Sequence, residues 1–308
     1  MKPKISLSKE NELKKAPKKE SAAGILPPQS NNYGLPEIVR IQPAKGIVPL
    51  NLREVWSYRE LIFFLIWRDI KVRYKQSVLG ALWAILQPFV TMIVFTIFFG
   101  QIAKLPSDGL PYPIFSYSAT VPWAFFAAAL SVSARSMLSS GNMISKIYFP
   151  RIIVPLASVL ANLVDFGIAF LLLIAMMFYY HIIPTINMVF LPLFLLLSMI
   201  TAMGVGLWFS ALYVMYRDVG YIMNFIPNLW QYISPVVYPA SMIPAKWRLV
   251  YALNPMTGVI EGFRWALLGS PVSVTPLMFA CSTLIALVIF ISGLYFFRRM
   301  ERIFSDML

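Results

Sequence analysis

Glu261 and Arg264 stand three residues apart in the stretch "LNPMTGVIEGFRWALLG" (253–269), which holds no other charge. On a helix that spacing puts both on one face, where they can neutralise each other. Such a pair serves either as a buried structural ion pair or as part of an outer gate that opens when a partner element moves. Asp165 is the other carboxylate inside an apolar run. An intramembrane acid is a candidate proton carrier by default. Without an apparent ionisable partner, however, Asp165 is expected to hydrogen-bond to Ser, Asn or Tyr on a neighbouring helix. A third group, "MISKIYFPR" (143–151), sets two cations, two aromatics and a proline between long apolar runs. It is too charged for lipid and too short for a domain. The single Cys281 excludes an intramolecular disulfide and a cysteine-rich metal site, and one histidine, His181, argues against a zinc centre. No G-x-x-x-x-G-K-[ST], H-E-x-x-H or nucleophile-elbow pattern occurs, so no P-loop ATPase is expected in this chain.

The elements that must position these residues follow from composition. The chain is 59% hydrophobic with only 13% charged residues, and its mean hydropathy is +0.71. A soluble domain would carry about a quarter charged residues. Long uncharged runs in place of that charge indicate an integral membrane protein. The net charge of +13 is concentrated before Ser77, where 15 of the 26 Lys and Arg residues lie. That placement suits a basic flank beside an anionic leaflet and argues against nucleic acid as a partner.

Six stretches are predicted to span a bilayer, which takes about 20 mostly apolar residues each: 79–103, 113–139, 151–180, 188–215, 220–238 and 274–297. With the N-terminus inside, the cytoplasmic flanks hold Arg68, Lys71, Arg73, Lys75, Arg135, Lys146, Arg151, Arg217, Arg298, Arg299 and Arg302. The opposite side holds Lys104, Lys246, Arg248 and Arg264. Eleven against four predicts both termini in the cytoplasm.

Residues 1–48 are polar and basic and read as a disordered tail without the apolar core of a cleaved secretory signal. Within 49–78, "LREVWSYRELIFFLIWRDIKVRYK" (52–75) mixes apolar and charged positions as a helix at the membrane surface would. The six-span body is expected over 79–300, with 301–308 as a short cytoplasmic C-terminus. Inside the body, 239–271 is apolar but broken by Pro239, Pro244, Pro255 and Pro271. Asn254 caps a helix with Pro255 in its first turn, and Gly269 stops it. About 14 residues rise roughly 21 Å, short of the ~30 Å hydrocarbon core. Two re-entrant half-helices from the outer face are therefore predicted.

Several of these segments resemble one family. "WRDIKVRYKQSVLGALWAILQP" (67–88), "SKIYFPRIIVPLASV" (145–159), "YRDVGYIMNFIPNLWQYISPVVYP" (216–239) and 253–269 are similar, in order, to permease subunits of ABC transporters that export polysaccharides such as O-antigen, capsule and teichoic acid. The resemblance implies an all-α integral membrane protein with six transmembrane helices, an N-terminal amphipathic interface helix, a cytoplasmic coupling helix and outer gate helices. It further implies a homodimer carrying two copies of a cytoplasmic ABC ATPase, with ATP and Mg bound by that partner and no cofactor or catalytic residue in this chain.

By this likeness Ser145, Lys146, Ile147, Tyr148, Phe149, Pro150 and Arg151 form the ATPase-coupling turn, with Tyr148 and Phe149 as anchors. Lys146 and Arg151 would face acidic residues or headgroups. Arg68, Lys71, Arg73 and Lys75 would attract the phosphates of a lipid-linked polysaccharide at its entrance. Pro255, Glu261 and Arg264 would belong to the outer gate, while Trp83, Trp123, Tyr213, Tyr221, Trp230 and Tyr232 would line a sugar conduit. Many of these aromatics also fit an interfacial belt in contact with membrane lipids. The expected location is the bacterial inner membrane. Two rival readings are an ion-gradient-driven flippase dependent on Asp165 and an ABC permease for another lipid or a drug; a membrane-embedded glycosyltransferase is more remote.

Overall fold

The computed structural model describes residues 52–75, 80–144, 146–269, 275–301 and 304. The expectations for the basic tail, Ser145, Pro271, Arg302 and most of the C-terminus lie outside the described residues. All regular structure among the described residues is helical. The segment expected at the membrane surface forms two helices, α1 (Leu52–Ser57) and α2 (Arg59–Lys75), with Tyr58 as the joint. α3 (Gly80–Phe95) continues as a π-helical stretch over Thr96–Ile102, and α4 (Tyr112–Ser139) is the longest helix described. A short α5 (Gly141–Ile144) leads into the turn before α6 (Ile153–Ala161) and α7 (Leu163–Tyr179). Then come α8 (Leu191–Met215), α9 (Val219–Ile233), α10 (Ala245–Tyr251), α11 (Pro255–Leu268) and α12 (Pro276–Met300).

Five helical segments among the described residues are long and apolar enough to cross a membrane: Leu82–Ile102, Tyr112–Ser139, Ile153–Tyr179, Ile186–Met215 and Pro276–Met300. The fifth expected crossing, over 220–238, takes a different form. α9 has 15 residues, which rise roughly 22 Å against a core of ~30 Å. It ends because Ser234, ahead of Pro235, is driven to extended backbone, φ −92° and ψ 155°. The Ser234 hydroxyl then bonds back to the Trp230 carbonyl at 2.9 Å. The chain continues through Pro239 without helix until a short turn at Ala240–Met242.

α4 is the hub. Phe115, Tyr117, Phe126, Leu130 and Met137 along it are fully buried, and α3, α6, α7, α8 and α11 all pack on it. α8 and α12 pack through glycine: a Cβ on Gly204 would fall 2.7 Å from the Phe290 Cα, and one on Gly293 would overlap the Gly204 carbonyl. Small residues at such crossings let membrane helices approach closely. α11 matches its expected limits. Asn254 Oδ1 accepts the Met256 N–H at 3.1 Å, Pro255 opens the helix, and Gly269 ends it in the left-handed region at φ 61°.

Candidate functional site: a polar cleft and its two flanks

α3 and α9 each carry polar residues at helical spacing. Gln87 and Thr91 lie four apart on α3; Asn224, Asn228 and Gln231 lie four and seven apart on α9. Both sets line one cleft of about 530 Å³ between α3, α4, α7 and α9. On α4 the small residues Ala124, Ala127, Ala128 and Ser131 line the same space, at spacings that keep one helix face free of bulk. Among the described residues neither the Gln87 nor the Gln231 side-chain amide has a protein hydrogen-bond partner. The Asn228 amide nitrogen donates to the Asn224 carbonyl at 2.9 Å, and Asn228 also lines the cleft. An amide inside a membrane-spanning segment, as Gln87 is in Leu82–Ile102, is costly unless water or a ligand completes its hydrogen bonds. The cleft can thus hold a hydroxyl-rich guest.

Charged residues also line the cleft. Arg73, from the last turn of α2, pairs with the Asp165 carboxylate and donates to Asn162 Oδ1 at 3.2 Å. The Tyr74 hydroxyl donates to the same carboxylate. Burial, reinforced by that bond to Asp165, pushes the Tyr74 phenol above its ordinary value. Asp165 therefore has the ionisable partner that its own segment lacks. Arg73 in turn is not an open phosphate cation. Arg68 bonds Asp69 at 2.8 Å and 3.0 Å. Lys71 sits 5.3 Å over the Trp67 ring, and Lys71 and Lys75 are exposed beside Phe64 and Trp67. Of the four cations expected at the substrate entrance, the two lysines face outward and the two arginines are engaged by acids of this chain.

The six expected conduit aromatics do not gather in one place. Trp83 and Trp123 line the cleft. Trp230 turns away, donating to Asn254 Oδ1 at 3.0 Å and meeting Phe126 edge-on. Tyr213 packs beside Gly220, and Tyr221 and Tyr232 are exposed elsewhere on α9. Amides and hydroxyls supply most of the cleft's polarity; the sequence reading missed them, and the i, i+4 spacing of Gln87/Thr91 and Asn224/Asn228 is the signal that could have found them.

The 146–152 turn has two sides. Lys146, Ile147 and Tyr148 are exposed, the latter two at 61% and 66%. Phe149, which the resemblance paired with Tyr148 as an anchor, is 4% exposed and belongs to the core; Pro150 is buried as well. Alternation after Tyr148 turns one ring out and the next in. Arg151 reaches the end of α12: its N–H donates to Glu301 Oε1 at 3.2 Å, its guanidinium donates to the Glu301 carbonyl, and that group lies 5.9 Å from the Phe304 ring. Burial holds the Glu301 carboxyl above its ordinary value.

At the opposite flank Glu261 and Arg264 pair at 2.9 Å, with side chains 7% and 1% exposed. Arg264 also donates to the Val236 carbonyl at 2.9 Å and lies 3.7 Å from the Phe115 ring centroid. Glu261 accepts the Ala240 N–H at 3.2 Å. The pair clamps α11 to the non-helical 234–240 segment, with Pro255 at the helix start.

Residues 60–268 match the family model described as ABC-2 type transporter. The chain is 28% identical over 216 residues to the O-antigen export system permease protein RfbA of Myxococcus xanthus, covering 69% of this chain and 82% of that protein. It is 25% identical over 250 residues to the protein of the same name from Klebsiella pneumoniae, covering 81% and 95%. Against the polysialic acid transport protein KpsM of Escherichia coli the identity is 24% over 241 residues, covering 76% and 91%.

Proposed function

The chain belongs to the ABC-2 type transporter family, and on that footing we propose that it is the membrane-spanning subunit of an ATP-driven exporter of lipid-linked polysaccharide. Its relatives include permeases named for O-antigen export and a transport protein named for polysialic acid. The observation that carries the reading is the cleft lined by Gln87, Thr91, Asn228 and Gln231 along helices of an otherwise apolar body. Sugar hydroxyls both donate and accept, as do amide and threonine side chains. Trp83 and Trp123 add flat surface for the apolar faces of sugar rings. A drug or simple lipid would need an apolar lining instead.

In this reading α9 and the segment after it complete a six-span body, with α10 and α11 dipping back from the outer face. A second copy closes the open side of the cleft. Two separate ATPase subunits bind ATP and Mg, and their closure pushes on Ile147 and Tyr148. Lys71 and Lys75, with Arg68 and Arg73 behind them, meet the substrate's phosphates at the cytoplasmic leaflet of the bacterial inner membrane. No bond in the glycan is made or broken.

The test is export of lipid-linked glycan from vesicles holding the permease and its ATPase. Replacing Asn228 and Gln231 together by Leu is expected to cut export about thirtyfold, since each lost hydrogen bond is worth about 1 kcal/mol, while ATPase association is unchanged. Unaltered export would refute the conduit. Asp165→Asn in the same assay separates the rival: an ion-gradient flippase loses its drive. The Arg73 and Tyr74 contacts favour a structural role for Asp165, so export is expected to remain dependent on ATP and indifferent to the proton gradient.

A further inference from the structure

The contacts at the end of α12 give Glu301 a use that the cleft does not explain. Glu301 follows the last residue of α12, and its N–H bonds the Phe297 carbonyl at 2.8 Å, so it is held in register with that helix. Its carboxylate accepts the Arg151 N–H at 3.2 Å, and its carbonyl accepts the Arg151 guanidinium. Phe304, fully buried, meets Phe297 edge-on at 5.4 Å and lies under the Arg151 guanidinium at 5.9 Å. Arg151 stands three residues after Tyr148, and between them Phe149 and Pro150 are buried. The exposed ridge of Ile147 and Tyr148 is thus joined to α12 through Arg151.

α12 is also joined to the outer half-helices. Ser282 donates to the Ala252 carbonyl at 2.9 Å, and a Cβ on Gly258 of α11 would fall 2.9 Å from the Ser282 Cβ. Between Ser282 and Glu301 the helix contains no proline and is pinned to α8 at Gly204 and Gly293. A helix so held moves as a rod, because packed interfaces shift between discrete arrangements and do not deform smoothly.

We infer that Glu301 is a positioning residue that ties the ATPase-facing turn to α12, so that displacement of Ile147 and Tyr148 is carried along α12 to the outer half-helices. This rests on the reading of that turn as the ATPase contact. Glu301 touches no substrate; it acts through Arg151.

The experiment uses the full permease with its ATPase subunit in vesicles, in a Cys281→Ser background with Met242→Cys as an outer-face label site. Met242 is exposed. Glu301→Ala is expected to bind and hydrolyse with the ATPase like the parent, to export about tenfold less, as for one lost charge-assisted hydrogen bond, and to lose the nucleotide-dependent change in Met242→Cys labelling. Glu301→Gln keeps an acceptor for the Arg151 N–H and is expected to restore most of both signals. If Glu301→Ala does not reach the membrane, Phe304→Leu removes the ring beneath Arg151 and carries the same expectation. Parent-level export, or an unchanged labelling response, overturns the inference. Tyr148→Ala run in parallel is expected to lose ATPase association. Normal association there would overturn the docking reading and this inference with it, whereas lost association there combined with an unaffected Glu301→Ala would sink the inference alone.

Discussion

Arg264 shows what a buried cation requires. At 1% exposure it has a carboxylate, two main-chain carbonyls and a ring face around it. Removing Glu261 would strand that charge, and breaking a buried pair on one side costs about 3–5 kcal/mol. Glu261→Ala is therefore expected to lower the detergent-solubilised melting temperature strongly. A Glu261→Leu, Arg264→Met double variant should recover much of the loss, because apolar residues of similar volume replace both charges. A gate that opens by parting this pair would have to expose Arg264, so full export by a stable double variant would mark the pair as a clamp alone. The i, i+3 spacing made the pair legible in the sequence. Its partners Val236, Tyr238 and Phe115 were not, since no local rule links residue 115 or 236 to residue 264. The same holds for Asp165, whose partner Arg73 lies 92 positions away.

Among the elements, α8 and α12 depend on a backbone contact. Gly293→Ala places a methyl against the Gly204 carbonyl, and overpacking of this kind costs about 1–3 kcal/mol. A melting temperature reduced by Gly293→Ala, with Gly167→Ala unchanged because nothing lies within 4 Å of a Cβ there, is the expected pattern. α11 was legible down to its caps because Asn254, Pro255 and Gly269 act through their own backbone and immediate neighbours. The crossing expected over 220–238 is not one continuous helix, for a related reason. Hydropathy extends past Ile233, but Pro235 and the hydroxyl of Ser234 end the helix there. A hydropathy window does not register a local hydrogen bond.

At the scale of the molecule, the cleft is bounded by α3 and α9 on flanks that also carry exposed apolar side chains, including Val90, Ile93, Phe225 and Leu229. A second copy covering that side would enclose the polar lining. Single cysteines at Val90, Phe225 and Leu229, in a Cys281→Ser background, are expected to form cross-linked dimers in membranes at one position or more. Monomeric behaviour of all three would refute the closed conduit. What the sequence determined by itself was the helical membrane class, the limits of most long helices, the caps of α11 and the family, because bilayer thickness, periodicity and capping act over a few residues. Only the tertiary structure decided which side chains share the cleft, that Phe149 points inward while Tyr148 points out, and that Arg73 and Arg151 are engaged within the chain. Those depend on packing between segments far apart in sequence, where a side chain's direction is set by the helix it meets rather than by its neighbours along the chain.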